Sequence, residues 1–172
     1  MTTKRLSNEF MEKILNDVAW KELSGNFKWT EQTLERHMDK VDWKDISNNR
    51  EILWTPSMLE KFKKFIDWSE FSAIADNEIL LSIDNLEKFK NYWDWSKLSS
   101  NSYLELTIEL IDKFIDLWDW SELIDRFYDN IYTIEFLERY IDRIPVNKLQ
   151  DSALWKKLVE KRKSELAFEV VS

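Results

Sequence analysis

The sequence has no cysteine, one glycine and two prolines among its 172 residues. The absence of cysteine excludes disulfide bonds, thiolate metal ligands and a cysteine nucleophile. Glycine supplies the positive φ angles on which tight β-hairpins and phosphate-binding loops depend, so a chain with one glycine suits neither. The composition therefore favours helices that are joined by short polar segments.

The sequence also lacks long apolar segments. Nowhere do 18 apolar residues follow one another, and no apolar run follows Lys4 and Arg5. We therefore expect neither a membrane span nor a signal peptide, and we expect a cytoplasmic protein. The formal net charge of -8 opposes direct binding to nucleic acid or to an anionic membrane, because phosphate groups are bound by clustered lysine and arginine.

Tryptophan is abundant, and it marks an internal repeat. Five tryptophans recur at intervals of 23 to 27 residues, with Val146 in the sixth place: Trp20, Trp43, Trp68, Trp95 and Trp120. Strings such as Asp67-Trp68-Ser69 begin with aspartate, a strong helix N-cap. An apolar residue follows each tryptophan by three positions, on the same helical face. Each string therefore predicts a short N-capped helix, the A helix, whose tryptophan faces the core.

A second predicted helix, the B helix, starts after a hydroxyl N-cap. The caps are Ser7, Thr30, Thr55, Ser82, Thr107 and Thr133. Counted from the cap, positions +4, +7 and +11 recur as apolar or aromatic, which is typical of a helix with one buried side. Position +4 is Met11, Leu34, Leu59, Leu86, Ile111 and Leu137; position +7 is Ile14, His37, Phe62, Phe89, Phe114 and Tyr140; position +11 is Val18, Val41, Ile66, Trp93, Trp118 and Ile144. We expect these three rows to form the core.

Charged residues fill the two positions between these rows. Position +5 is acidic and position +6 is basic in every unit, starting with Glu12 and Lys13, so stacked units would carry an acidic row beside a basic row. Such rows most often serve solubility and weak ion pairs, and they also offer a repeated pattern to a charged protein partner. The candidate partner-binding residues in these rows are Glu35, Arg36, Glu60, Lys61, Glu87, Lys88, Asp112, Lys113, Glu138 and Arg139.

The predicted fold is an all-α helical-repeat solenoid of about six pairs, each with a short A helix and a longer B helix. We expect one domain over residues 1–172, with an N-terminal half unit at 7–19, repeats at 20–145 and an altered capping unit at 146–172. The capping unit has Val146 in place of tryptophan and a basic helix from about Ser152 to Leu166. Terminal units of a solenoid turn a polar face to water, which suits this altered composition.

Several residues could suggest a catalytic or metal-binding site, but a structural role in capping, packing or turns explains them better. The aspartates before the A-helix tryptophans recur in each unit, which indicates helix capping rather than a catalytic carboxylate pair across a cleft. His37, the only histidine, has no second ligand at metal spacing, so we expect it to pack. Asn26, Asn49 and Asn101 at the A-to-B turn are expected to satisfy backbone groups of that turn.

The tryptophans pose a similar question, since indole rings can also stack on bases or sugars. The five A-helix tryptophans each recur beside an apolar residue, so we expect them to pack in the core. Trp29, Trp54 and Trp155 are less regular. We expect these three to be partly exposed, and they are further candidates for binding a partner.

Two strings carry a family resemblance: Trp-Asp-Trp-Ser-Lys-Leu-Ser-Ser-Asn at residues 93–101, and Leu-Glu-Lys-Phe-Lys at residues 59–63 and 86–90. In these strings the chain resembles the Trp-rich tandem-repeat proteins of bacteria, their phages and giant viruses. The resemblance covers about residues 7–150 and implies a helical repeat. It implies no activity and supplies no catalytic residues. Leu81 and Leu106 depart from it, standing where other units have Trp29 and Trp54.

The sequence predicts a protein without catalytic residues, cofactor or metal. We expect a non-enzymatic protein-binding or scaffold module, because the repeated surface rows are the only extended feature that the pattern predicts. The alternative is a phage- or mobile-element-encoded inhibitor whose acidity lets it occupy a basic, nucleic-acid-binding surface of a host enzyme. A carboxylate-based enzyme is a third hypothesis. The identity of the partner and the oligomeric state stay open.

Overall fold

A computed structural model describes residues 8–127 and 130–171. Within them, regular secondary structure is entirely α-helical, with twelve helices and no strand. The helices are α1 (Asn8–Asn26), α2 (Glu31–His37), α3 (Trp43–Ser47), α4 (Pro56–Phe62), α5 (Trp68–Ile74), α6 (Ile83–Lys88), α7 (Trp95–Ser100), α8 (Ile108–Lys113), α9 (Trp120–Leu123), α10 (Ile134–Tyr140), α11 (Val146–Leu149) and α12 (Ala153–Val171). The prediction of an all-α fold with repeated helix pairs is confirmed, while the stacking of all units into a solenoid stays a prediction.

The described residues form two compact regions, one up to Asn85 and the other from Leu86 onward. In the first region α1 packs against α3 and α3 against α5, and in the second α7 packs against α9. These three pairs of consecutive A helices are therefore neighbours, as a helical repeat requires. None of the described helices combines the length and the apolar character that crossing a bilayer requires.

Hydroxyl side chains cap the B helices as the sequence predicts. The threonines that accept a hydrogen bond from the backbone N–H three residues on are Thr30, Thr55, Thr107 and Thr133. Ser82 accepts the N–H of Asn85 at 3.4 Å in the same way, and Ser7 lies outside the described residues. The start of each described B helix is thus fixed by a local signal.

Aspartates cap the A helices. Asp67 Oδ1 accepts the N–H groups of Ser69 and Glu70 at 3.1 and 3.2 Å. Caps of the same kind begin α3, α7 and α9 at Asp42, Asp94 and Asp119. The capping interpretation of the recurrent acids is confirmed, since each carboxylate is bonded to the orphan N–H groups of a first helical turn.

The apolar rows of the B helices form the core from the second unit onward. Position +4 is fully buried at Leu34, Leu59, Leu86 and Ile111. At positions +7 and +11, every residue from Phe62 onward is buried, and Val41 is buried as well. His37 is half-buried and lies 5.4 Å from Trp20 between ring centroids, so its predicted packing role is confirmed.

The core prediction is wrong for the first unit, where Met11, Ile14 and Val18 are exposed. Helix α1 runs without a break through the expected boundary at residue 19, and residues 8–19 are all exposed. In other units these rows pack beside the tryptophan of the preceding unit.

A buried serine at the end of the A helix joins one unit to the next. Ser47 Oγ donates to Trp43 O at 2.6 Å and accepts the N–H of Asp67, the cap of the next A helix, at 2.8 Å. The same two bonds are made by Ser24 with Trp20 and Asp42, and by Ser99 with Trp95 and Asp119. One hydroxyl therefore ends its own helix and fixes the start of the following one.

A buried asparagine makes a second link between units. Asn49 Nδ2 donates to Ser24 O at 2.8 Å and to Phe27 O at 2.9 Å, and its Oδ1 accepts the N–H of Glu51 at 2.8 Å. The predicted turn role is confirmed for Asn49, and it extends to the preceding unit. Asn101 is also buried and accepts the N–H of Tyr103 at 2.8 Å.

Ser99→Ala is expected to lower the free energy of unfolding by about 1–3 kcal/mol, because the part-buried N–H of Asp119 loses its acceptor. Ser100→Ala is the matched control, since Ser100 is exposed and its hydroxyl makes a longer bond of 3.3 Å to Lys97 O. The control should change stability by less than about 0.5 kcal/mol. Urea unfolding followed by circular dichroism measures both variants, and equal costs would contradict the linking role of Ser99.

Candidate protein-binding surfaces

The A-helix tryptophans pack on the next B helix, at its position +7. The distances between ring centroids are 5.4 Å for Trp20 and His37, 5.3 Å for Trp43 and Phe62, 4.8 Å for Trp95 and Phe114, and 5.2 Å for Trp120 and Tyr140. These are ordinary aromatic packing distances. Trp68 and Trp120 are buried, whereas Trp20, Trp43 and Trp95 are only half-buried. The core-packing prediction is therefore confirmed for two of the five A-helix tryptophans, and the other three pack between units with part of the residue exposed.

The indole N–H explains why this position takes tryptophan rather than phenylalanine. Trp43 Nε1 donates to Met38 O at 3.0 Å, and Trp68 Nε1 donates to Lys63 O at 2.9 Å. Met38 and Lys63 are the C-caps of α2 and α4. The last carbonyl groups of a helix lack intrahelical partners, so each indole satisfies one of them.

The predicted partial exposure of Trp29 and Trp54 is wrong, because only 5% and 6% of these residues is exposed. Each lies directly before a threonine cap, where an apolar side chain packs back against the first turns of the helix. Trp29 Nε1 also donates to Leu23 O at 3.0 Å. Trp155 is half-buried as expected, so of these three candidates it alone presents an accessible ring.

The charged rows of the B helices pair with one another between units. In three units the base at position +6 contacts the acid at position +5 of the preceding unit. The pairs are Lys61 with Glu35 at 3.1 Å, Lys113 with Glu87 at 4.0 Å and Arg139 with Asp112 at 2.5 Å. These rows therefore form ion pairs between units. That they also bind a partner stays a prediction.

The other charged candidates are also on the surface. Arg36 and Glu138 are exposed. Glu60 forms an ion pair with Lys63, the C-cap of the same helix. Lys88 Nζ lies 5.1 Å from the centroid of the Phe89 ring. The described candidates that contact one another therefore do so as pairs from neighbouring units. They do not line a common cleft.

Acidification tests the pair between Asp112 and Arg139. The guanidinium and the Tyr140 hydroxyl, which donates at 2.8 Å, hold the pKa of Asp112 below its ordinary value of 3.8. A lowered pKa in the folded state stabilises the protein above the ordinary pKa, and this contribution is lost as the pH falls through the lowered one. The urea midpoint of the wild type should therefore fall more steeply below about pH 4 than that of Asp112→Asn.

The matched control for this pH series is Glu105→Gln, a substitution at an exposed residue outside the charged rows. This variant should follow the wild type through the acidic range. Parallel curves for the wild type and Asp112→Asn would show that the pair adds no pH-dependent stability.

An exposed apolar surface covers one side of the N-terminal part of α1. This surface, the α1 face, consists of Phe10, Met11, Ile14, Leu15 and Val18, whose exposed fractions lie between 43% and 67%. Their spacing places them on one side of the helix, and Glu9, Glu12, Lys13 and Asp17 fill the other side. The sequence pattern assigned three of these residues, Met11, Ile14 and Val18, to the core.

A second exposed apolar position lies at the other end of the repeats. Val146 begins α11, in the place that a tryptophan takes in the preceding units, and it is 81% exposed. In α12 every described side chain from Val159 to Val170 is exposed. In α11, the residue at the position that elsewhere packs on the next B helix is therefore exposed.

No family model, curated protein or solved structure matches the chain. The resemblance to Trp-rich tandem-repeat proteins thus stays a prediction that rests on its motifs. Within residues 8–127 and 130–171, no three histidine, aspartate or glutamate side chains are placed to hold a metal ion. The α1 face brings five exposed large apolar side chains together on one described helix.

Proposed function

We propose that this chain is a non-enzymatic protein-binding module whose binding surface is the α1 face. The observation that carries the proposal is the exposure of five large apolar side chains on one side of one helix. Contiguous apolar surface on a soluble domain is a mark of interaction sites. An amphipathic helix of this kind binds by packing its apolar side into a complementary apolar surface of a partner.

The helix itself supports the same proposal. Residues 8–19 are helical and wholly exposed, and isolated helices of about 12 residues are marginal in water. A partner that covers the α1 face would supply the tertiary packing from which most helices in proteins gain their stability. The polar side, with Glu9, Glu12, Lys13 and Asp17, would stay in water.

The test replaces the centre of the α1 face without changing the net charge. Ile14→Gln with Leu15→Gln keeps helix-forming residues, and Leu53→Gln is the control at a single residue that is 73% exposed elsewhere. Partners captured by the wild type from the native cell are purified, and their binding is measured by calorimetry. We expect the double variant to bind at least about tenfold more weakly and the control to bind as the wild type does. Equal binding by all three would refute the proposal.

A second candidate function is the acidic inhibitor, which is favoured by the net charge of -8. Such an inhibitor would bind a basic surface that otherwise holds nucleic acid, and added salt would weaken the complex strongly. The calorimetric series separates the two functions when it is repeated at higher ionic strength. Binding that is insensitive to salt and lost in the double variant supports the α1 face.

A further inference from the structure

We infer that α11 opens by itself, while α10 before it and α12 after it stay in place, and that it is a movable wall of the cleft between α9 and α11. The inference goes beyond the proposed function, because it concerns a different part of the chain and does not depend on the α1 face. It follows from the hydrogen bonds that fix the other A helices, from those that hold α12, and from the cleft itself.

The serine link that joins consecutive A helices is missing before α11. In three earlier units, a serine four residues after the A-helix tryptophan accepts the N–H of the next aspartate cap, as Ser99 does for Asp119 at 3.0 Å. Ile124 stands at the serine position after Trp120, and Pro145 stands at the cap position before α11. An isoleucine side chain has no acceptor and proline has no N–H, so neither half of the link can form.

Two further hydrogen bonds that fix an A helix elsewhere in the described chain are absent from α11. Asp119 Oδ1 accepts the N–H of Ser121 at 3.0 Å at the start of α9, whereas Pro145 precedes α11 without any side-chain capping bond. An A-helix indole donates to a carbonyl group just after the preceding B helix, as Trp95 does to Lys90 O at 2.9 Å. The valine that begins α11 has no side-chain donor. All these differences follow from the residue types at positions 124, 145 and 146.

The hydrogen bonds that α11 does make stay within its own segment. Lys148 N–H and Leu149 N–H donate to Pro145 O at 2.9 and 3.2 Å, and Ser152 N–H donates to Leu149 O at 3.1 Å. A single helical turn is unstable alone, because fixing its backbone costs more free energy than its few hydrogen bonds provide. In other A helices the links to neighbouring units add to these bonds, and α11 lacks those links.

Helix α12 is bound directly to the residues that follow α9, and not through α11. Leu154 N–H donates to Ile124 O at 3.0 Å, and Ala153 N–H donates to Asp125 Oδ1 at 2.9 Å. Leu154 is also fully buried, and Ile144, just before α11, is 4% exposed. The chain is therefore anchored on both sides of α11, so α11 can open between two fixed points.

A cleft of about 300 Å³ lies between α9 and α11. It is lined by Ser121, Glu122 and Asp125 on the α9 side and by Asn147, Lys148 and Asp151 on the α11 side. Because Asp125 is bound to the N–H of Ala153 in α12, the α9 side keeps its position when α11 moves. The opening of α11 therefore sets how far this polar cleft is open.

Hydrogen exchange of single amides, measured by NMR on the full chain, tests the inference. Three equivalent amides donate to the carbonyl group of the cap residue: Leu149 in α11, Leu98 in α7 and Leu123 in α9. We expect the Leu149 amide to be protected at least about tenfold less than the other two. The Leu154 amide in α12 should also be protected at least about tenfold more than that of Leu149.

Two outcomes of this measurement overturn the inference. If Leu149 is as well protected as Leu98 and Leu123, α11 does not open by itself. If Leu149 and Leu154 exchange at the same rate, α11 and α12 open as one body, and α11 is not a separate wall of the cleft.

Restoring the missing cap provides a second test. Pro145→Asp supplies a capping carboxylate at the start of α11, so it should raise the protection of the Leu149 amide about fivefold and leave that of Leu154 unchanged. Pro145→Ala is the matched control, because it removes the proline without adding a cap, and it should not raise the protection of Leu149. If the two variants behave alike, the missing cap does not explain the opening of α11, and the inference fails.

Discussion

Trp68→Ala is expected to lower the free energy of unfolding by about 3–5 kcal/mol, the range for removing a large aromatic side chain from a core. The residue is 9% exposed, its ring lies 5.7 Å from that of Phe71, and its indole N–H donates to Lys63 O. Trp68→Phe keeps much of the apolar contact and loses the hydrogen bond, so it should cost roughly 1–2 kcal/mol. Urea unfolding followed by circular dichroism measures both losses.

The control for this pair is Leu53→Ala, because Leu53 is apolar and 73% exposed. It should change the free energy of unfolding by less than about 0.5 kcal/mol. A Trp68→Ala variant as stable as this control would show that the A-helix tryptophan is not a core residue, and the core-packing interpretation would fail with it.

Asn49→Ala is expected to cost about 3 kcal/mol, because it removes three hydrogen bonds and leaves buried backbone groups unsatisfied. Asn49→Asp keeps the shape of the side chain and its Oδ1 acceptor, but a carboxylate cannot donate to the carbonyl groups of Ser24 and Phe27. We therefore expect Asn49→Asp to be at least as destabilising as Asn49→Ala at neutral pH.

The adjacent Asn48 provides the comparison for Asn49. Asn48 is exposed at the C-cap of α3, and Asn48→Ala should change stability by less than about 0.5 kcal/mol. Thermal and urea unfolding of Asn48→Ala, Asn49→Ala and Asn49→Asp measure the order of their stabilities. If Asn48→Ala and Asn49→Ala were equally destabilising, the cost would reflect the turn sequence alone and not the link to the preceding unit.

Sequence alone predicted the helix starts because their signals are local. A threonine or aspartate meets N–H groups two or three residues away, so Thr55 and Asp67 could be assigned without knowing the packing. The burial of Trp54 could have been predicted from the same N-cap signal. The residue directly before the cap is apolar in other units too, as at Leu81 and Leu106. Both leucines are buried, which indicates a position defined by packing rather than by tryptophan.

The links between units could not be predicted in the same way. Ser99 and Ser100 are adjacent residues of the same type. Only the three-dimensional structure shows that Ser99 is buried and Ser100 is exposed. The charged rows were visible in the sequence, whereas the offset that pairs Arg139 with Asp112 of the preceding unit depends on how neighbouring helices are aligned. The exposure of the α1 face likewise depends on what lies beside a helix rather than on its own residues.

The shared serine hydroxyl has a consequence for how the chain unfolds. When the A helix that ends at Ser47 opens, the first amide of the following A helix, that of Asp67, loses its acceptor, so the neighbouring unit is weakened at the same moment. Coupling of this kind between nearest neighbours spreads local opening along a repeat protein and makes its units melt together. Breaking this one hydroxyl link therefore weakens two neighbouring units.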